Sequence, residues 1–278
     1  DDIGGNNQPN KFWRNDGEDP GGGWLFVEVG QTNGSGVSVN GMGLGIGDPD
    51  NDGLFDLAYS DASPGHMLNN NGDGSWTDVS RSSGTSAATA GDVGWGTVFF
   101  DYNNDGWEDL FFAVGTIHAV APLANSLLEN NRDGTFTNVS ASTNMGNTER
   151  GRSTAIADMD GDGWVDIYVG NYGVPGILMQ NRSGDEGNTN HSLTFTVEGT
   201  DSNRDAIGTV IRATTPDGTM SRLISSGSNH GGGSQKAAFF GLGSHSSATI
   251  EVIWPNGEVE NLGSFSADTA YHLVEPVA

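Results

Sequence analysis

The feature that most limits how this 278-residue chain can fold is an acidic pattern, D-x-[DN]-x-D-G-x-x-D, that occurs three times. It lies in GDPDNDGLFDLA from Gly47, FDYNNDGWEDLFFA from Phe100 and ADMDGDGWVDIYV from Ala157, with leading acids Asp48, Asp101 and Asp158 spaced by 53 and 57 residues. A repeat of that length is one supersecondary unit that buries its core only against its neighbours. A second element alternates with the first: HMLNNNGDGSWTDVS from His66, SLLENNRDGTFTNVS from Ser126, the weaker ILMQNRSGD from Ile177, and KFWRNDG followed by WLFVEV near the start. Each copy is an apolar stretch, an Asn/Asp/Gly turn and another apolar stretch, which reads as a hairpin. The runs Thr97 to Phe100, Leu110 to Val114 and Ile167 to Val169 read as buried strands, and no window carries a helical period with caps. Each repeat is therefore about four strands, the pattern of a β-propeller blade.

The acids of the pattern point to a hard cation. Asp48, Asp50, Asp52 and Asp56 carry the first loop, Asp101, Asn103, Asp105 and Asp109 the second, and Asp158, Asp160, Asp162 and Asp166 the third. Acids at alternate positions place several oxygens inside one tight loop, and the Gly after the third of them allows the turn. The next ligand would be the backbone carbonyl of Leu54, Trp107 or Trp164. An all-oxygen set suits calcium; magnesium suits it less, because it keeps its waters. An EF-hand is disfavoured, since its bidentate Glu is replaced by Tyr59, Phe112 or Val169 and the flanks look like strands.

Composition narrows the partners. Thirty-six Asp and Glu against eleven Lys and Arg give −25, which repels phosphate backbones and anionic membranes. There is no Cys, so disulfides, thiolate zinc and thiol catalysis are excluded, and bound metal is another way to tie the loops of an extracellular protein. No run approaches the length of a membrane span. No H-E-x-x-H pair and no G-x-S-x-G elbow occur, and the dense carboxylates all sit in the Asp loops, so the expectation is no enzyme and no catalytic residues.

With these loops and the LxxNxxDGxF-like hairpins, residues 10 to 182 resemble FG-GAP/VCBS repeats, the blades of integrin-type propellers. The resemblance implies calcium in the Asp loops and a role in adhesion or extracellular recognition. From about Asn190 the acid loops stop. Alternation in Leu193 to Val197, Thr209 to Ala213 and Thr249 to Ile253, with turns at Pro216-Asp217-Gly218 and Pro255-Asn256-Gly257, reads as a small β domain. It resembles the ASPIC/UnbV domain through Ser202-Asn203-Arg204 with Ala206-Ile207-Gly208, Ser234-Gln235, Phe240-Gly241-Leu242-Gly243 and Trp254-Pro255-Asn256-Gly257.

The fold expected is all-β: propeller-type blades in a partial or open ring, three full repeats plus a half, over residues 1–185, then a small sandwich-like domain over 186–278. The function expected is an extracellular or cell-surface module, stabilised by about three Ca²⁺ ions, that mediates protein, matrix or glycan contacts. An open strand edge would let it assemble with itself into an oligomer, filament or lattice. The alternatives are a lectin-like propeller, or the non-catalytic part of a secreted hydrolase. Nucleic acid and membrane insertion are not expected.

Overall fold

A computed structural model describes residues 9–62, 64–116, 123–227 and 229–277. The chain opens with a hairpin, β1 (Trp13–Glu18) and β2 (Trp24–Glu28), followed by one turn of helix, α1 (Gly30–Asn33). The first full repeat is an antiparallel meander of β3 (Leu44–Gly47), β4 (Asp56–Tyr59), β5 (His66–Asn70) and β6 (Trp76–Asp78). After a second helical turn, α2 (Thr85–Ala88), the next meander is β7 (Gly94–Phe100), β8 (Asp109–Val114), β9 (Ser126–Asn130) and β10 (Phe136–Asn138). The third sheet has three strands, β11 (Gly151–Ala157), β12 (Asp166–Asn171) and β13 (Ile177–Met179). These small antiparallel sheets are arranged as propeller blades, and α1 and α2 are the only helix among the described residues.

The sequence period explains why the blades stack. Successive side chains of a strand point to opposite faces. In β8, Leu110, Phe112 and Val114 therefore pack with Ala58, Met67 and Phe99 toward the first blade. Phe111 and Ala113 pack with Ile156, Val165, Ile167 and Val169 toward the third. Every residue of β8 is buried, so the strand reads as a continuous apolar run rather than an alternation.

The C-terminal part holds β14 (His191–Glu198), β15 (Val210–Thr215), β16 (Gly218–Leu223), β17 (Ala237–Gly243), β18 (Ser247–Ile253), β19 (Val259–Ser266) and β20 (Thr269–Val274). They form two sheets, β17-β14-β20 and β16-β15-β18-β19, with β14 and β20 parallel. Phe195 and Phe240 of one sheet share a core with Ile211, Ile250 and Val252 of the other and with Trp254, which makes a sandwich. The sandwich leans on the blades. Asn229 donates its main-chain N–H to Leu44 O and holds Thr154, while Ser234 and Gln235 bond both main-chain groups of Ile156 in the innermost strand of the third blade.

Candidate metal centres

Each Asp loop joins the first and second strands of a blade. Residues 48–55 link β3 to β4, residues 101–108 link β7 to β8 and residues 158–165 link β11 to β12. The leading acid closes the loop. Asp48 accepts the N–H of Gly53, Asp101 those of Asp105 and Gly106, and Asp158 those of Gly161, Asp162 and Gly163, at 2.7–3.3 Å. Asp52, Asp105 and Asp162 then accept the N–H of Leu54, Trp107 and Trp164. The turn uses left-handed backbone twice: at Gly53, Gly106 and Gly163, as the pattern requires, and two residues earlier at Asn51, Asn104 and Gly161. Asn and Gly are the residues that tolerate this conformation best.

The last acid of each pattern is anchored from the outer hairpin. Asp56 Oδ1 accepts the N–H of Asn70 at 2.7 Å, Asp109 Oδ1 that of Asn130 at 2.9 Å and Asp166 Oδ1 that of Asn181 at 2.7 Å. The second oxygen differs. Asp109 Oδ2 and Asp166 Oδ2 accept the N–H of Tyr102 and Met159, at the second place of their loops. That place in the first loop is Pro49, which has no N–H, and the buried Asp56 Oδ2 has no hydrogen-bond partner.

In two loops the carboxylates converge. Oxygens of Asp48, Asp50 and Asp52 lie within 4.8 Å of one another, and so do those of Asp158, Asp160 and Asp162. The second loop departs from this pattern. Its middle member is Asn103, whose amide donates to Asp105, and Arg132 pairs with the same Asp105 oxygen at 2.9 Å. Burial, with Glu108 nearby, pushes the Asp48 carboxyl up to about 7. Burial, with Asp105 nearby, pushes Asp101 up to about 7. Burial raises Asp56 to about 8, and the charges of Asp50, Asp52 and Asp48 add to the effect. Asp109 is raised well above the usual carboxylate range by burial and then by Asp101. So many close, desolvated carboxyls are costly as anions, and a divalent cation among them would reverse that cost. Residues of the first and third loops fit such an ion: every donor is a hard oxygen, and Asp56 Oδ2 is buried beside the first cluster with no proton donor.

Two supports of these loops were not read from the sequence. Asn130 Nδ2 donates to Glu108 O of its own blade and to Pro49 O of the preceding one, and Asn181 repeats this with Val165 O and Tyr102 O. The recurring Asn in LNNNGDG, LENNRDG and LMQNRSG was the available signal, and it reads as turn chemistry alone. The second support is a buried ion pair, Glu108 with Arg222 at 3.2 Å. Glu108 also accepts the Asp48 N–H at 2.7 Å, so β16 of the sandwich reaches two Asp loops through one carboxylate.

Comparison with known proteins agrees with this layout. The family model described as FG-GAP-like repeat matches residues 48–112 and 101–169, each span running from one Asp loop through the next. The model described as ASPIC and UnbV matches residues 199–278. The chain carries FG-GAP-like repeats followed by an ASPIC/UnbV domain. This FG-GAP-like protein is 26% identical over 263 residues to Cartilage acidic protein 1 of Xenopus tropicalis, and the match covers 91% of the chain. It spans 39% of that relative's length. A solved lectin of Agrocybe aegerita, described as recognising non-reducing terminal N-acetylglucosamine, aligns over 92% of this chain and 91% of its own at 14% identity. Its TM-score is 0.25. No helix among the described residues is long and apolar enough to cross a membrane.

Proposed function

We propose that this chain is an extracellular, non-catalytic interaction module whose blades are held in shape by calcium. The observation that carries the reading is the convergence of Asp48, Asp50 and Asp52, and of Asp158, Asp160 and Asp162, within 4.8 Å, with the orphaned Asp56 Oδ2 beside the first group. The ligands are the acids of each pattern together with the carbonyls of Leu54 and Trp164. The second loop, with Asp101, Asn103, Asp105, Asp109 and the carbonyl of Trp107, is the weakest site, because Arg132 already neutralises Asp105. The blades take residues 1–185 and the sandwich 186–278. A relative named for cartilage and for its acidity supports an extracellular matrix setting, where protein or glycan surfaces are the partners.

Calorimetric titration of chelator-treated protein with Ca²⁺ and with Mg²⁺ tests this directly. The expected result is two tighter sites and a weaker third that prefer Ca²⁺, a melting temperature that rises with free Ca²⁺, and loss of one of the tighter sites each in Asp50→Asn and Asp160→Asn. Identical melting curves in chelator and in millimolar Ca²⁺ would refute it.

A further inference from the structure

Seven of the eleven Lys and Arg side chains pair with a carboxylate. Arg150 and Arg152 do not, in a chain with thirty-six acids. Neither has a carboxylate partner among the described residues, and residues 117–122 contain no acid. Glu149, adjoining Arg150 in sequence, is exposed and makes no ion pair among the described residues. The contrast shows in their charge states. Hydrogen bonds to Asp16 and Asp105 hold Arg14 and Arg132 above the ordinary arginine value, whereas Arg152 is lowered, first by burial and then by the charge of Arg150.

Both arginines stand at the end of the sheets away from the Asp loops. Arg150 precedes β11 and Arg152 is its second residue; Trp95 is the second residue of β7, and Tyr172 follows β12. Arg152 lies over the Trp95 ring, 4.0 Å from its centroid, and Arg150 and Arg152 both lie over the exposed Tyr172, at 5.2 and 5.3 Å. Such contacts hold a guanidinium in place without neutralising it. Arg152 is fixed further by Gly115 O, Gly151 O and Thr116 O, and Trp95 Nε1 donates to the same Gly115 O at 2.6 Å. The sandwich adds His230, from the connection between β16 and β17, whose ring centroid lies 5.1 Å from that of Trp95. Two blades and the sandwich thus build one cluster. Arg150 keeps all its N–H groups, and Arg152 its Nε–H and one on Nη2, free of acceptors among the described residues.

We propose that Arg150 and Arg152, set among Trp95, Tyr172 and His230, form a docking site for neighbouring carboxylates on an acidic segment of a partner protein. The planar fork of a guanidinium matches a carboxylate, and clustered arginines are a recurring way to read acidic motifs. A sugar ring would need an open aromatic face, and here guanidinium groups already lie over Trp95 and Tyr172. A long polyanion would meet two cations on a chain of net charge −25, so repulsion over the rest of the surface favours a short acidic segment. The site rests on the reading of the chain as an interaction module, but it uses no Asp-loop residue and is independent of calcium.

The test is an NMR titration of the 278-residue chain at low salt with the blocked peptide acetyl-Gly-Glu-Glu-Gly-amide, its Gln-Gln counterpart and an oligouronate. It is run on protein stripped of metal and freed of chelator, and again in Ca²⁺, so that failure of the calcium reading leaves the outcome unaffected. The expected result is a saturable shift of the Trp95 indole N–H and the Tyr172 amide at millimolar Glu peptide, absent with the Gln peptide and reduced by salt. Affinity should fall about fivefold in Arg150→Gln, whose side chain holds no fold-forming hydrogen bond, and stay unchanged in Arg81→Gln, an exposed arginine outside the cluster. Equal response to the two peptides, or none at millimolar Glu peptide, overturns the proposal. So does an oligouronate that shifts the same signals at lower concentration than the peptide, because the partner is then a glycan. Should Arg150→Gln fail to fold, the Glu-against-Gln difference at Trp95 in the parent decides alone.

Discussion

Asn130 is the sharpest place to test how blades are joined. Its Nδ2 reaches Pro49 O at 2.7 Å and Glu108 O at 3.0 Å, and its Oδ1 accepts the Arg132 N–H at 2.9 Å. The side chain is buried, so Asn130→Ala leaves two buried carbonyls without a donor and one N–H without its acceptor. Each stranded buried group costs about 1–3 kcal/mol, which puts the variant about 3 kcal/mol below the parent. With a urea slope of about 3 kcal/mol/M for a chain of this size, the midpoint moves down by about 1 M. Asn131→Ala is the control, because Asn131 makes its side-chain bonds to Thr135 and Thr137 at the surface; it should cost under about 0.5 kcal/mol. The sister residues set a ranking. Asn181 bridges two blades in the same way but is only half-buried, and Asn70 bonds Phe55 O of its own blade alone. The expected order of loss is Asn130, then Asn181, then Asn70. A midpoint for Asn130→Ala that matches the Asn131→Ala control would show that the bridge does not hold the blades together.

Other outcomes follow from single contacts. Phe111→Ala, at the shared face of the second and third blades, should lose about 3–5 kcal/mol in urea, whereas Leu178→Ala on the exposed outer strand β13 should stay within about 0.5 kcal/mol. Glu275 accepts the N–H groups of Thr200, Asp201 and Ser202 and the Ser202 hydroxyl at 2.7–3.0 Å. The Ser202 hydroxyl first, and then the main-chain donors, hold its carboxyl below the ordinary 4.5. A depressed folded value means the contribution is complete above about pH 4.5 and is lost as pH falls through the folded value. Glu275→Gln should therefore flatten the fall of the urea midpoint on acidification; a fall as steep as the parent's would remove Glu275 as its cause. Gly106→Ala places a side chain at φ 91 in the second Asp loop and should cost at least about 1 kcal/mol, read as a lower melting temperature.

Much of the fold was legible because the blade writes its own period. Strand runs at Thr97 to Phe100 and Leu110 to Val114 lie within β7 and β8, and the turn at Pro255-Asn256-Gly257 joins β18 to β19. The acids of each loop were legible for the same reason: alternation inside a tight turn is a local signal. Local signals also explain the omissions. The left-handed Asn51 and Asn104 were visible only as loop residues, and Pro49 gave no hint that it would strand Asp56 Oδ2, since that follows from a donor present in the sister loops. Ser234 and Gln235, visible in the sequence only as part of a motif, bond to Ile156 of the third blade. The Glu108–Arg222 pair joins residues far apart in sequence with no repeat to align them, and no periodicity argument can find such a contact.

These distant contacts bear on why the sandwich follows the blades. The first loop carries its acids without a compensating cation of its own; the second shares Asp105 with Arg132 and sits beside Arg222. Arg222 is held by Phe239 O and Ser221 O, so it is a fixed charge delivered by the sandwich rather than a mobile surface group. It lowers the cost of ionising Glu108, Asp48 and Asp101, working against the burial that raises all three. The sandwich therefore acts on the Asp loops as well as on the blade ends. Its arginine supplies part of the positive charge that buried aspartates need, at the junction of the first and second Asp loops. A chain with few basic residues has placed one of them where two blades and the C-terminal sheet meet, and that placement couples the stability of the three units through a single carboxylate, Glu108.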